Sequence, residues 1–224
     1  MRVSVILPIM INYEWQRIMT ECAIKMMRAC TKVDYELIIV ETGSKDFDDN
    51  LAGTYKYLHF DKGPDRSYTK DFNAAIDIAE SDIIVQTAND IFVQPGWLEA
   101  IVECFDKYPD CGMATIASKE AKHPVVDIIK ESVCFPLIFG FKKGFRFDEA
   151  FPNNVSEQDL IMDIYSKGLR MYRNFKVTYY HLIKATMDNG GNMEDGKVAM
   201  DRFKQKWKGN NTLMFDAMVN GWVI

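Results

Sequence analysis

Residues 71–101 read DFNAAIDIAESDIIVQTANDIFVQPGWLEAI, and three patterns follow one another within them. Phe72, Ala75, Ile76 and Ala79 recur at three- and four-residue spacing, which predicts a helix over 67–80 with one buried face. Residues 82–87 (DIIVQT) are an apolar run too short for a helix, so they read as a buried strand. Pro95 then falls where the first turn of a helix tolerates it, and Trp97, Leu98, Ile101, Val102 and Phe105 make that helix amphipathic. Between strand and helix stands a polar tip, Thr87-Ala88-Asn89-Asp90, whose lone acid needs a reason.

The same alternation runs back to the N-terminus. Residues 3–9 (VSVILPI) and 35–40 (YELIIV) read as strands, and 57–60 (YLHF) as a short one before the turn cluster DKGPD. Between the first two lies a helix over 13–30, with Trp15, Ile18, Met19, Cys22, Ala23 and Met26 as its apolar stripe. Strands alternating with helices of ten or more residues predict an α/β fold with a mostly parallel sheet and helices on both faces. Ligands on such sheets bind beyond the carboxyl ends of the strands. ETGSKD (41–46) and TAND (87–90) both occupy such ends.

The second half is less regular. Residues 112–116 and 132–139 read as strands, 157–167 as a helix stopped by Gly168, 171–181 as a strand containing MYRNFKVTYYH, and 194–208 as a charged helix. No repeat or linker divides the chain, which predicts one domain over 1–224.

Composition bounds the function. A chain of 224 residues, 48% apolar and 12% aromatic, supports a real core, and its net charge of −5 argues against a dedicated nucleic-acid or anionic-membrane binder. Five cysteines (22, 30, 104, 111, 134) make no CxxC pair and read as reduced, buried thiols. No signal peptide is apparent, and no stretch approaches the about 18 apolar residues of a membrane span. The expectation is a cytoplasmic protein; its oligomeric state is not legible.

VSVILPI, ELIIVETGSKD (36–46) and the 71–101 stretch together resemble the N-terminal half of family-2-like glycosyltransferases of the GT-A fold. Those open with a strand ending in Pro, then carry VDDGSxD, an AxNxGI helix and an acidic strand end before a Pro-Gly-Trp-Leu-type helix start. FRFDEAF (145–151), SEQDLIMDIYSKG (156–168) and VTYYH (177–181) are similar to the family's GxFDExF, its EDxDLxxRxxxxG and its strand ending in His. The likeness spans residues 3–182, and the order and spacing of its motifs carry it.

It implies a Rossmann-like, three-layer α/β/α GT-A fold, with 1–110 binding a nucleotide sugar and 111–224 binding the acceptor. The implied donor is a UDP-sugar, and the acceptor a glycan or another hydroxyl compound. A divalent cation, Mn or Mg, would neutralise the diphosphate. By alignment on Pro95-Gly96-Trp97, Asp90 takes the place of the last acid of the family's DxD, while Ala88 replaces the first. Asn89 is a supporting group, and His181 a second metal ligand. Glu157 stands where the family has its general base, which takes the proton of the acceptor hydroxyl and implies inversion; Asp159 is the alternative base. Both also suit the first turn of a helix, with Ser156 as its N-cap. Glu41 would meet the base or ribose, Lys70 and Asp71 would lie near the base or diphosphate, Asn73 matches the helix motif, and Pro8 and Ile9 would set backbone against the nucleotide. Asp148 and Glu149 read as buttresses of the acceptor loop, and Trp207 as core. His59 and His123 receive no functional reading.

Two other readings stand beside this one. The degenerate acid pair fits a sugar- or nucleotide-sugar-binding module without turnover. A sugar-nucleotide nucleotidyltransferase would need a Gly-rich basic loop after the first strand, and PIMINYEWQR (8–17) contains no glycine.

Overall fold

The structure is a computed structural model, and it describes residues 2–44, 55–119, 127–130, 136–182, 196–210 and 215. In chain order these form β1 (Val3–Ile9), α1 (Glu14–Ala29), β2 (Tyr35–Thr42), β3 (Lys56–Phe60), α2 (Tyr68–Ile78), β4 (Ile83–Gln86), β5 (Ile91–Val93), α3 (Trp97–Lys107), β6 (Cys111–Ser118), β7 (Ile128–Lys130), β8 (Phe139–Lys142), α4 (Ser156–Ser166), β9 (Arg170–His181) and α5 (Gly196–Lys206). Lys45, Asp46, His123, Cys134 and the first half of the stretch read as a strand over 132–139 lie outside the described residues.

One sheet runs through the chain in the order β3-β2-β1-β4-β8-β6-β9-β5, with β7 on the side of β9. The β3-β2-β1-β4 block is parallel. β8 enters antiparallel between β4 and β6, and β9 runs parallel to β6. Strand alternation sorts the core into two layers. Ile6, Ile38, Val40 and Ile84 face Phe72 and Ala75 of α2, Leu160 and Ile161 of α4, and Phe203 of α5. Val5, Leu7, Leu37, Ile39 and Val85 face Ile24 and Met27 of α1 and Trp97, Leu98 and Ile101 of α3. The result is the expected α/β/α sandwich, in which each fully buried Leu, Ile or Phe stabilises the fold by about 1.5–3 kcal/mol. α3 sits so close to β8 that a Cβ on Gly140 would come 2.8 Å from Ile101 Cγ2.

Three local expectations are corrected. The buried face of α1 is Gln16, Met19, Thr20, Ala23, Ile24 and Met27, not the stripe of Trp15, Ile18 and Cys22. Gln16 turns inward because its Oε1 accepts the N–H groups of Asn12 (2.7 Å) and Tyr13 (3.2 Å). Thr20 follows it, donating to the Gln16 carbonyl at 2.8 Å. Polar groups so partnered are tolerated in a core, and Trp15 and Ile18 are left about half exposed. Pro95 precedes its helix instead of opening it, since Gly96 at φ +84° is the N-cap of α3. Likewise Val155, not Ser156, caps α4. Of the cysteines, Cys104 and Cys111 are buried and free, whereas Cys22 is exposed and Cys30 half-buried.

Candidate active site

The carboxyl ends of β1, β2 and β4 open into a cavity of about 660 Å³, a size usual for small-molecule sites. Pro8 and Ile9 end β1, Val40 and Thr42 line it from β2, and Ala88 and Asn89 from the tip after β4. The first turn of α2 contributes Tyr68, Asp71 and Phe72, and Pro152 and Asn153 close the far side ahead of α4. Lys62 and Arg66, from the turn cluster after β3, add two cations. Gly43 lets that cluster approach: it sits at φ +68°, and a Cβ there would lie 2.8 Å from the Lys62 Cβ.

Asp71 is the cavity's buried acid. Thr42 Oγ1 donates to its Oδ2 at 2.6 Å, and Arg66 pairs with its Oδ1. The Arg66 guanidinium also lies over the Phe60 ring, 3.6 Å from its centroid.

Around the end of β4 the register of a second ladder matters. β5 pairs antiparallel with β9 so that Ile91 stands opposite His181. This brings His181 Nε2 to 3.4 Å from Asp90 Oδ2, with Leu182 N–H donating to the Asp90 carbonyl at 3.0 Å. A carboxylate oxygen and an imidazole nitrogen this close are a donor pair that suits Mn better than Mg. Among the described residues no group of three or more His, Cys, Asp or Glu forms. Asn89 lines the cavity while its Nδ2 donates to Thr20 Oγ1 at 2.9 Å, which ties the tip to α1.

α4 begins under backbone strain. Val155 is a β-branched residue at φ +66°, a conformation costing about 1–3 kcal/mol, and it turns the chain so that α4 starts at the end of β4. Glu157, in the first turn, accepts from Ser156 Oγ at 3.0 Å. Burial pushes its carboxyl above the usual range, against its own backbone N–H, Ser156 and Gln86, which pull it down. A carboxyl raised toward neutrality without losing its donors is suited to accept a proton. Tyr68, beside it, has its hydroxyl pushed well up by burial and by the Glu157 charge.

Asp159 points elsewhere. It is 2% exposed, and Trp207 Nε1 donates to its Oδ1 at 2.9 Å while Lys206 Nζ reaches its Oδ2 at 2.8 Å. Burial raises its carboxyl, and Lys206 and Trp207 pull the other way. Lys206 also bonds Asp148 Oδ2 at 2.8 Å, so one ammonium ties α5 to α4 and to the 145–151 loop.

Glu41 lies on the face of β2 opposite to Val40 and Thr42. It is fully buried, paired with His59 Nδ1, and accepts from Tyr57 Oη at 3.2 Å. Lys70 turns outward, its Nζ donating to the Asp65 carbonyl at 2.9 Å. Asn73 is committed to the 145–151 loop: its Nδ2 donates to the Phe147 carbonyl (2.9 Å) and Glu149 Oε1 (3.2 Å), and its Oδ1 accepts the Phe147 N–H (3.1 Å). Pro8, Ile9, Asp71 and Asn89 are thus brought to one cavity, and Glu41, Lys70 and Asn73 are not.

Sequence reading passed over Thr42, Lys62, Arg66, Tyr68, Gln86 and Lys206. Three carried a signal: Gln86 is a lone amide in an apolar strand, and Lys62 and Arg66 flank a Gly-Pro turn at a strand end.

The fold is shared with solved glycosyltransferase structures. S. aureus TarS superposes with a TM-score of 0.65 at 14% identity, over 96% of this chain and 41% of that one. TarS 1–349 in complex with UDP-GlcNAc gives 0.66 at 14% identity, over 98% and 70%. The mannosyltransferase PcManGT from Pyrobaculum calidifontis, in complex with GDP-Man and Mn2+, gives 0.62 at 14% identity, over 83% and 58%. The chain therefore spans less than half of the first of these TarS chains. Among curated proteins no sequence matches. The family model described as Glycosyl transferase family 2 matches residues 4–176, and the chain belongs to that family.

Proposed function

We propose that this protein transfers a sugar from a nucleotide-sugar donor, a UDP-sugar, to a hydroxyl of a glycan or similar acceptor, with inversion. The observation that carries the reading is the cavity at the carboxyl ends of β1 and β2, lined by Lys62, by Arg66 and by Tyr68, whose hydroxyl feels the Glu157 charge. The acceptor hydroxyl gives its proton to Glu157 as its oxygen bonds to the anomeric carbon. The bond from that carbon to the diphosphate breaks, and the diphosphate leaves with the electron pair. Lys62 and Arg66 bind the diphosphate of the donor from the cavity wall. Pro8 and Ile9 pack against the nucleotide, and Asp71, fixed by Thr42, offers it an acceptor.

Asp90 and His181 would hold a divalent cation, Mn or Mg, whose charge would offset that of the diphosphate. Asp159 acts in support, through α5. Residues 1–110 serve as the donor half and 111–224 as the acceptor half of one domain. Neighbours of the same fold bound to UDP-GlcNAc and to GDP-Man support a nucleotide-sugar donor.

A panel of nucleotide sugars, assayed for hydrolysis with and without Mn, tests the reading. Turnover of a UDP-sugar that disappears in Glu157→Gln is the expected result. Ala88, at the place of the usual first acid, favours a second reading as a donor-binding module. Tight UDP binding with no turnover of any donor would select that module and overturn the enzyme.

A further inference from the structure

The inward face of α1 carries two polar residues where a helix packed on a sheet needs none. Gln16 and Thr20 stand one turn apart on it, fully buried, among Met19, Ala23, Ile24 and Met27. Burying a polar side chain is costly unless its hydrogen bonds are made, and here they form one continuous chain. Gln16 Oε1 accepts the N–H groups of Asn12 (2.7 Å) and Tyr13 (3.2 Å), in the loop after β1. Thr20 Oγ1 donates to the Gln16 carbonyl at 2.8 Å and accepts from Asn89 Nδ2 at 2.9 Å.

Chemistry fixes the direction of that last bond. A hydroxyl has one proton and a carbonyl only accepts, so the Thr20 proton goes to Gln16. Its oxygen then has to accept from Asn89, which sets the amide nitrogen of Asn89, not its oxygen, against α1.

Asn89 is the middle residue of a very short tip. Thr87 N–H donates to the Ile6 carbonyl (3.2 Å), one residue past the end of β4, and Ile91 N–H donates to the Ala88 carbonyl (3.2 Å) as β5 begins. Ala88, Asn89 and Asp90 span the gap. From β9, Leu182 N–H reaches the Asp90 carbonyl at 3.0 Å, and the ladder sets His181 opposite Ile91. The tip is thus held by β9 at Asp90 and by α1 at Asn89, and between these holds the Asp90 carboxylate meets His181 Nε2 at 3.4 Å.

We propose that Thr20 is a positioning residue, whose hydroxyl anchors Asn89 to α1 and so keeps the Asp90 carboxylate on His181, in place for a divalent cation. The inference rests on the reading of Asp90 and His181 as the metal pair. It makes Asn89 an anchor of the tip, its amide nitrogen committed to α1. It also accounts for the polar inward face of α1, which ties the loop after β1 and the tip after β4 to one helix.

Two readouts test it well below the unfolding temperature. One is Mn2+ binding in the presence of UDP, followed by loss of the free-ion EPR signal. The other is the His181 ring resonance in metal-free protein at fixed pH, assigned by its absence in His181→Gln. Thr20→Val keeps the shape and removes the hydroxyl. It should weaken Mn2+ binding by about tenfold and shift the His181 resonance toward its position in Asp90→Asn. Thr20→Ser restores the hydroxyl and should match the wild type in both. Ile24→Val, an apolar change on the same buried face, should move neither, which separates anchoring from a general loss of packing. If Thr20→Val does not fold, Asn89→Ala removes the same bond from its other end, with the same two changes expected.

A His181 resonance that stays in place in the folded variant would overturn the anchor, as would equal changes in Ile24→Val. A resonance that moves while Mn2+ binding holds would overturn the link to the metal. Absence of Mn2+ binding in the wild type would overturn the metal reading itself, and the His181 resonance would then decide on the anchor alone.

Discussion

Two acids in the first turn of α4, Glu157 and Asp159, stand two residues apart and meet opposite kinds of surroundings. Glu157 accepts from the Ser156 hydroxyl, and no charged group is among those that lower its carboxyl. Asp159 turns to α5, where an ammonium and an indole N–H take both of its oxygens. Burial raises both carboxyls, but only at Asp159 is a cation set against it. The difference teaches what a buried acid is free to do. One with neutral donors can exchange a proton without breaking an ion pair, whereas one bound to a lysine is a strut.

The largest effect that could break this contrast is on catalysis. Glu157→Gln should lower donor turnover by about 100- to 10,000-fold with little change in the urea midpoint, read from steady-state assays and denaturation curves. Asp159→Asn should do the reverse, costing about 1–3 kcal/mol of stability while turnover below the melting transition is kept. Exchanged outcomes would make Asp159 the base. Lys206→Met tests the strut from its other end. It should also cost about 1–3 kcal/mol, and the double variant with Asp159→Asn should lose less than the sum, since both remove one interaction.

A smaller effect is expected in the cavity. Arg66→Lys keeps the charge but loses the planar fork over Phe60, and should raise the donor KM by about tenfold with kcat nearly unchanged. A fall in kcat at constant KM would place Arg66 in the reaction instead of in binding.

The smallest lies at the back of β2. Glu41 raises the pKa of His59, so this pair contributes stability that is fully present below the unfolded value of about 6.5. That contribution is lost as pH rises through the higher folded value. The gap in melting temperature between the wild type and His59→Gln should therefore shrink from pH 6 toward pH 8. A gap that widens instead would mean that Glu41 holds neutral histidine.

Much of the fold was legible because periodicity reports which face of an element is buried. The parallel block from β1 to β4 and the amphipathic α2 and α3 follow from runs such as DIIVQT and from the spacing of Phe72, Ala75 and Ile76. The burial of α1 was not, since its inward face holds Gln16 and Thr20, whose partners are backbone and Asn89. The site was partly legible. Asp90 and His181 stand at strand ends recognisable in sequence, and the structure sets them side by side. The division of labour in α4 was not readable, because Lys206 and Trp207 reach it from far along the chain. Lys62 and Arg66 were missed for a related reason: a turn cluster shows where the chain bends, not what it bends toward.

The ladder between β6 and β9 has a consequence for how this protein tolerates change. Ile116 pairs with Asn174 but the next residue, Ala117, pairs with Thr178, so β9 contains three extra residues, 175–177, before Thr178 rejoins the ladder. Asn174 secures this bulge to α3 through its Nδ2, which donates to the Ala100 carbonyl at 2.9 Å. Everything downstream is counted from that point. Deleting one residue of the bulge would offer Leu182 to Asp90 in place of His181, and every side chain beyond would change face. The Asp90–His181 pair is thus guarded by chain length as much as by identity, so variants in this stretch should accept substitution more readily than insertion or deletion.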